Sequence, residues 1–255
     1  MDRENRKEQE ESFFDQLAHD DSMTRFYDRL NNLEFQESFI NYFDSCLGDI
    51  RDKLVLEYGC GNYGDLSLKL IRLGAKLVSV DISGESVKST YRLIKKCGLL
   101  HRVSPMKMDC EVLCFADASF DLVVGRAILH HLNLRRAIPE IRRVLKPGGT
   151  ALFIEPLGMN PLLNLYRKLT PKSRTKDEHP LTGKDFKELE RYFPRVAHRE
   201  FNLLSLPIIL MAGCFKNKTW LNRILPKLER ADKFLFKHVP CLARYGWTTV
   251  ISLSY

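Results

Sequence analysis

From Lys53 onward, short apolar runs alternate with stretches whose apolar residues recur every three or four positions. The first kind of pattern marks buried strands and the second marks helices. Leu54 to Tyr58 reads as a strand, and a helix runs from about Asp65 to Leu73 before Gly74 ends it. A second strand, Lys76 to Val80, closes with Asp81. Ser83 then caps a helix from about Gly84 to Cys97, which Gly98 ends. A third strand near Val103 to Met108 closes with Asp109. A fourth, Phe120 to Gly125, leads into a helix through Leu145. Lys146-Pro147-Gly148-Gly149 predicts a sharp turn into a fifth strand, Thr150 to Ile154, closed by Glu155. This alternation predicts a doubly wound α/β fold on a mostly parallel sheet.

The flanks read differently. Phe13, Phe14, Leu17, Phe26, Leu30, Leu33, Phe35, Phe39, Ile40 and Phe43 recur at helical spacing. Residues 1–50 are therefore read as an N-terminal helical cap that packs on the core and helps close a ligand site. Residues 1 to about 11 are read as frayed or as an extension of the first helix. After Pro156, Asn160 to Leu169 predicts a short helix, and Pro171 to Leu181 a polar, basic loop. Thr182, with Asp185 three residues on, signals another helix start. Arg195 to Leu203 and Trp247 to Leu253 read as sixth and seventh strands. Between them, residues 206–244 form an insertion long enough to have structure of its own, read as helical.

The first strand ends in a glycine-rich turn, Gly59-Cys60-Gly61-Asn62-Tyr63-Gly64. Glycine lets backbone approach a ligand closely, and the following helix N-terminus favours anionic or polar groups. Glu57 lies two residues before Gly59, at the carboxyl end of a strand that is otherwise apolar. A carboxylate there is costly unless something uses it. Glu57, Asp81, Asp109 and Glu155 all close strands, at the edge where open α/β sheets bind ligands.

Composition adds bounds. The chain has 255 residues, 44% apolar and 28% charged, enough for one large domain with a substantial core. Its formal charge of +8 permits acidic partners without selecting one. Seven cysteines without a Cys-x-x-Cys pair argue against a disulfide framework or a zinc site of that type, and no metal is expected. A charged N-terminus without a hydrophobic segment carries no signal peptide, so a reducing, cytoplasmic setting is expected.

The motifs Leu-Glu-Tyr-Gly-Cys-Gly at 56–61, Val-Asp-Ile-Ser at 80–83 and Met-Asp-Cys-Glu at 108–111 belong together. Phe-Asp-Leu-Val-Val with Leu-His-His-Leu at 120–132, and Arg-Val-Leu-Lys-Pro-Gly-Gly at 143–149, complete the set. In these the chain resembles the class I S-adenosylmethionine-dependent methyltransferase family. The resemblance is firm over about residues 50–160 and looser for the two closing strands. It implies a Rossmann-like methyltransferase fold of seven strands, with the helical insertion before the last, and S-adenosyl-L-methionine as cofactor. By that resemblance Gly59 and Gly61 contact the methionine and ribose portions, and Glu57 orients the amino group. Asp81 accepts the ribose hydroxyls, Ile82 covers an adenine face, Asp109 takes the adenine amino group, and the Cys110 backbone N–H meets a ring nitrogen. Cys60, Asn62, Tyr63 and Arg126 are expected to line the same site. The third glycine, Gly64, stands one residue later than in many members.

A nicotinamide-dependent reductase shares the glycine spacing and an acid about 20 residues on. Its Tyr-x-x-x-Lys pair would have to be Tyr91 and Lys95, too early in the chain to reach a substrate. Methyl transfer from a sulfonium needs alignment and exclusion of water, and needs a base only where the acceptor must lose a proton. His130, His131 and His179 are the candidate catalytic bases, with Glu155, Asp177 and Glu178 behind them. Gly-Arg-Ala-Ile follows the fourth strand in place of an Asn-Pro-Pro-Tyr, which argues against amine methylation on nucleic-acid bases. The insertion interleaves leucines, isoleucines and aromatics with lysines and arginines. It reads as a lid over a small, apolar or amphipathic acceptor (a lipid, glycan or secondary metabolite), or as a peripheral lipid contact. The alternative is a methyltransferase-like protein that binds RNA or an acidic surface, as an RNA methyltransferase or a non-catalytic module.

Overall fold

A computed structural model describes residues 3–17, 36–171, 175, 178–211 and 219–255. Among these, a seven-stranded sheet is built from β1 (Leu54–Tyr58), β2 (Lys76–Asp81), β3 (Val103–Lys107), β4 (Phe120–Arg126), β5 (Leu145–Pro156), β6 (Arg195–Phe201) and β7 (Thr248–Ser254). The spatial order is β3-β2-β1-β4-β5-β7-β6. β1 to β5 pair in parallel, whereas β7 runs antiparallel to both β5 and β6. That reversed strand, inserted before β6, departs from the parallel 3-2-1-4-5-6 order of dinucleotide-binding folds and removes the reductase alternative.

The helices are α1 (Arg3–Leu17), α2 (Glu37–Leu47), α3 (Asp65–Arg72), α4 (Gly84–Lys96), α5 (Leu134–Val144), α6 (Pro161–Leu169), α7 (Gly183–Tyr192), α8 (Leu206–Met211) and α9 (Thr219–His238). Side chains along a strand alternate between faces, so the sheet carries two cores. Val55 and Val124 join Phe43 of α2, Leu70 of α3 and Ile94 of α4. Their neighbours Leu56 and Val123 join Ile138 and Ile141 of α5 and Leu189 of α7 on the other face. α5 shows the sequence logic: Leu134, Ala137, Ile138, Ile141 and Val144 are its buried residues, and Asn133 caps it by accepting from the Arg135 amide at 3.2 Å.

Most expected elements stand within a residue or two. The fifth strand differs. Lys146–Gly149 does not precede it as a separate turn but forms a bulge inside it. Phe120 pairs with Leu145 before the bulge and Leu122 with Thr150 after it. Gly149 sits so close to the Lys146 carbonyl that an added Cβ would lie 2.9 Å from its oxygen. The first helix begins at Arg3, so the charged N-terminal residues extend it. Phe26, Leu30, Leu33 and Phe35 lie outside the described residues.

The insertion is helical where described, as α8, α9 and a 3-10 turn at Pro240–Tyr245. Leu221 and Leu225 of α9 and Ile209 of α8 are buried in the core that α2 and Phe201 share. Asp232 accepts the Leu203 and Leu204 amides, each at 3.0 Å, which ties α9 to the end of β6. Part of its apolar face is therefore core, while Trp220 and Phe234 remain exposed. No helix among the described residues is long and apolar enough to cross a membrane.

Candidate active site

The site lies where the parallel strands end. β1 delivers its backbone into the glycine turn, and the Gly59 and Cys60 amides both donate to the Val80 carbonyl, at 2.9 and 3.2 Å. Gly59, Gly61 and Gly64 all have positive φ, between 58° and 69°. Left-handed backbone explains why glycine stands at each. A Cβ at Gly59 would lie 3.0 Å from the Ile128 side chain, so the loop after β4 packs directly on the turn. At Gly61 a Cβ would meet nothing within 4 Å.

Glu57 is fully buried and shares the sheet face of Val55, beneath α3. One carboxylate oxygen, Oε2, accepts from the Ser67 hydroxyl and, at 2.6 Å, from the Ser79 hydroxyl. Its other oxygen, Oε1, is buried without a hydrogen-bond partner. Burial pushes the carboxyl up to about 7 against the lowering effect of the two serines. Ser67 and Ser79 were missed by sequence reasoning. A signal did exist: Ser67 stands between Leu66 and Leu70 on the apolar face of α3.

Asp81 is also buried. It accepts from the Gly61 amide through Oδ2 and from the Ser83 amide through Oδ1, both at 2.9 Å. Burial raises its pKa against those hydrogen bonds. The carboxylate as a whole keeps acceptor capacity for a ligand. Asp109 accepts the Glu111 amide at 2.9 Å, and Cys110 is buried beside it. Ile82 is half-buried next to Asp81. Asn62 turns toward α4, accepting from Ser86 at 2.6 Å through its side chain and from Ser89 at 2.7 Å through its carbonyl. Tyr63 is exposed, and Arg126 pairs with Asp65 at 2.6 Å.

α1 lies across this edge. Asp15 accepts from the Ser83 hydroxyl and the Glu85 amide, at the N-terminus of α4. Lys7 stands 2.9 Å from Glu111 and 3.5 Å from Asp109, and Arg6 also pairs with Glu111. Phe14 meets the His131 ring edge-on at 5.3 Å. These contacts join an N-terminal helix to three strand ends, and no local spacing announces them.

The histidines separate. His130 is buried, with Nδ1 2.7 Å from Glu155 Oε2. Glu155 Oε1 accepts the Ile128 and Leu129 amides at 2.9 and 2.8 Å, so the carboxylate fixes the whole loop after β4. His131 stacks on His130 at 4.1 Å and lies 3.3 Å through Nδ1 from the Thr175 hydroxyl. Desolvation, with neighbouring positive groups, holds His131 well below the usual imidazole range, so it is neutral near pH 7. His179 is exposed, and its backbone amide donates to the His130 carbonyl at 2.9 Å. Asp177 lies outside the described residues.

Residues 56–153, which include Glu57, Asp81 and Asp109, match the family model described as a methyltransferase domain. Over that segment the chain is similar to the class I S-adenosylmethionine-dependent methyltransferase family. Among relatives of this family, it is 31% identical over 106 residues to the sterol 4-C-methyltransferase of Caenorhabditis elegans, across 41% of this chain and 31% of that one. It is 27% identical over 240 residues to the ubiquinone/menaquinone biosynthesis C-methyltransferase of Yersinia enterocolitica, covering 89% and 93%. The Cronobacter sakazakii counterpart is 29% identical, with 58% and 61% covered. The chain thus spans less than two thirds of the sterol and Cronobacter enzymes. The geranyl diphosphate C-methyltransferase of Streptomyces coelicolor, solved with Mg2+, geranyl diphosphate and S-adenosyl-L-homocysteine, superposes with a TM-score of 0.61. It is 14% identical, with 86% of this chain and 79% of that one covered.

The family's cofactor fits the residues present. Open space stands over Gly61, Glu57 keeps an unpartnered buried oxygen, and the Asp81 oxygens retain acceptor capacity.

Proposed function

We propose that this chain methylates carbon in a small, apolar or amphipathic acceptor that carries an acidic hydroxyl. When bound, S-adenosyl-L-methionine supplies an electrophilic methyl group on a positively charged sulfur. Glu57, Gly59, Gly61, Asp81, Asp109 and Cys110 are the residues that would hold it. The acids take the polar groups, and the glycines leave room for close approach.

The observation that carries the reading is the neighbourhood of Ile128 to His131. Ile128 packs against Gly59, and two residues later Glu155 grips His130 by Nδ1. With the Nδ1 proton donated to that carboxylate, the neutral imidazole of His130 would carry its lone pair on Nε2. His131, neutral beside it, bears another. Two imidazole lone pairs near the cofactor turn suit an acceptor that reacts at carbon only after a hydroxyl gives up its proton. α1 and Phe14 cover the edge and keep water from it. The sterol and quinone relatives are C-methyltransferases by name, which supports carbon as the acceptor atom. Exposed Trp220 and Phe234 of the insertion offer apolar surface for the acceptor or a lipid surface.

The test is incubation with methyl-labelled cofactor and a panel of hydroquinones, isoprenoid diphosphates and sterols, with total RNA as the contrasting acceptor. Label on carbon of a small molecule is expected. Label in RNA alone, or no calorimetric uptake of S-adenosyl-L-homocysteine, would refute the proposal.

A further inference from the structure

Among the described residues, side chains from two distant segments bring metal-ligand atoms together at the acceptor edge. His130, His131 and Glu178 each offer one ligand atom, and the three lie within 4.8 Å of one another. Donors bound tetrahedrally at about 2.1 Å to one ion stand about 3.4 Å apart, so the cluster closes with side-chain movements of at most about 1.4 Å. We propose that these residues bind a single divalent cation of the zinc, cobalt or iron type, leaving coordination positions open for an oxygen of the acceptor.

Four features support a built site. First, Glu155 receives His130 Nδ1 at 2.7 Å and is itself fixed by two backbone amides. A carboxylate behind a histidine sets its tautomer and raises the basicity of the remaining nitrogen, the arrangement that second-shell groups give metal-bound histidines. Second, Thr175 engages His131 Nδ1 in a parallel way, at 3.3 Å. Third, Glu178, 47 positions after His131, does not arrive there through a random surface loop. The next residue's amide donates to the His130 carbonyl at 2.9 Å, and Leu181 bridges to Leu157. Fourth, the charges balance. Lys7, which bears on His131, is itself matched by Glu10 at 3.1 Å and Glu111 at 2.9 Å. The Glu155 and Glu178 carboxylates bring two negative charges beside a dication.

The donor set selects the class of ion. Two imidazoles and one carboxylate suit borderline metals, whereas Mg2+ and Ca2+ take all-oxygen sets. Three protein ligands are also the number that leaves a catalytic-type site open. This rests on the proposed function and deepens it by another route: with the imidazole lone pairs on the ion, the cation lowers the pKa of a bound acceptor hydroxyl, whose proton passes to water. Metal uptake nonetheless does not depend on methyl transfer.

The experiment is titration of the full chain, freed of metal by chelator, with Co2+ and then Zn2+, followed by visible absorption and elemental analysis. Expected is uptake of about one ion per chain, with a cobalt spectrum free of thiolate-to-cobalt charge transfer, and displacement by Zn2+. Glu178→Gln and His131→Asn should each bind at least about tenfold more weakly, while His101→Asn and His238→Asn bind as the parent does. Glu178 is only half-buried, so that variant keeps the test valid if His131→Asn fails to fold by circular dichroism. No uptake at micromolar metal, a thiolate-type spectrum, or unchanged binding by Glu178→Gln would overturn the proposal. S-adenosyl-L-homocysteine calorimetry on the same samples reports separately on the methyltransferase reading.

Discussion

Asp81 reaches back across twenty residues to accept the Gly61 amide at 2.9 Å. The last residue of β2 thereby holds the turn that follows β1. The same carboxylate is the proposed ribose acceptor, so the shape of the turn and its ligand contact depend on one side chain. Asp81→Ala should weaken S-adenosyl-L-homocysteine binding by about ten- to a hundredfold, the range for a charge-assisted hydrogen bond lost. Asp81→Asn should fall between, since an amide oxygen can still accept from Gly61. Isothermal calorimetry of the three proteins checks the order.

Gly59 and Gly61 make a contrasting pair. Both have positive φ, but only at Gly59 would a methyl group press on Ile128. Gly61→Ala should cost about 1 kcal/mol of stability from backbone strain alone. It should nonetheless abolish measurable cofactor binding, because the new methyl group would fill the open space proposed for the ligand. Gly59→Ala should lower the melting temperature further. Thermal unfolding with and without S-adenosyl-L-homocysteine separates the two effects.

Glu57 predicts a pH dependence. Burial raises its pKa from 4.5 to about 7, so the folded protein disfavours the charged form. Between those values the folded state binds a proton that the unfolded state has lost, and stability falls as pH rises through that window. The full effect is at most about 3 kcal/mol. Urea unfolding should therefore show Glu57→Gln more stable than the parent at pH 8, with the difference vanishing near pH 4.5. If Glu57 takes the ammonium of S-adenosyl-L-methionine as proposed, bound cofactor should reverse the parent's trend.

Leu225 tests what the insertion is. It is 1% exposed and packed in the core shared with Phe201. Leu225→Ala should destabilise the whole chain by about 2–4 kcal/mol, as a cavity in a core does. Phe234, 62% exposed on the same helix, should be replaceable by Ser within about 0.5 kcal/mol. If Phe234→Ser lowers turnover of an apolar acceptor while stability holds, the outer face of α9 serves the acceptor.

Much of the strand-end edge was legible because it is local. Gly59, Asp81 and Asp109 each stand within a residue or two of a strand end, and strand ends are written in apolar runs of five or six residues. Glu57 was legible as an anomaly, an acid in an apolar strand. Its two serine partners were harder to see, since one lies on a helix and the other on the neighbouring strand. The residues of the Lys146–Gly149 bulge are those of a turn, and only pairing on both sides with β4 makes them part of a strand.

The residue pattern by itself determined the strand–helix alternation, the glycine turn and the row of acids, because each follows from short-range spacing and backbone sterics. Only the tertiary structure decided that β7 runs backwards and that α1 lies over Asp109 and Glu111. It alone buried Leu225 and brought Glu178 to His130. These meetings close loops of tens of residues, and loop closure leaves no periodicity in the intervening sequence. What selects them is burial and charge pairing summed over the whole molecule.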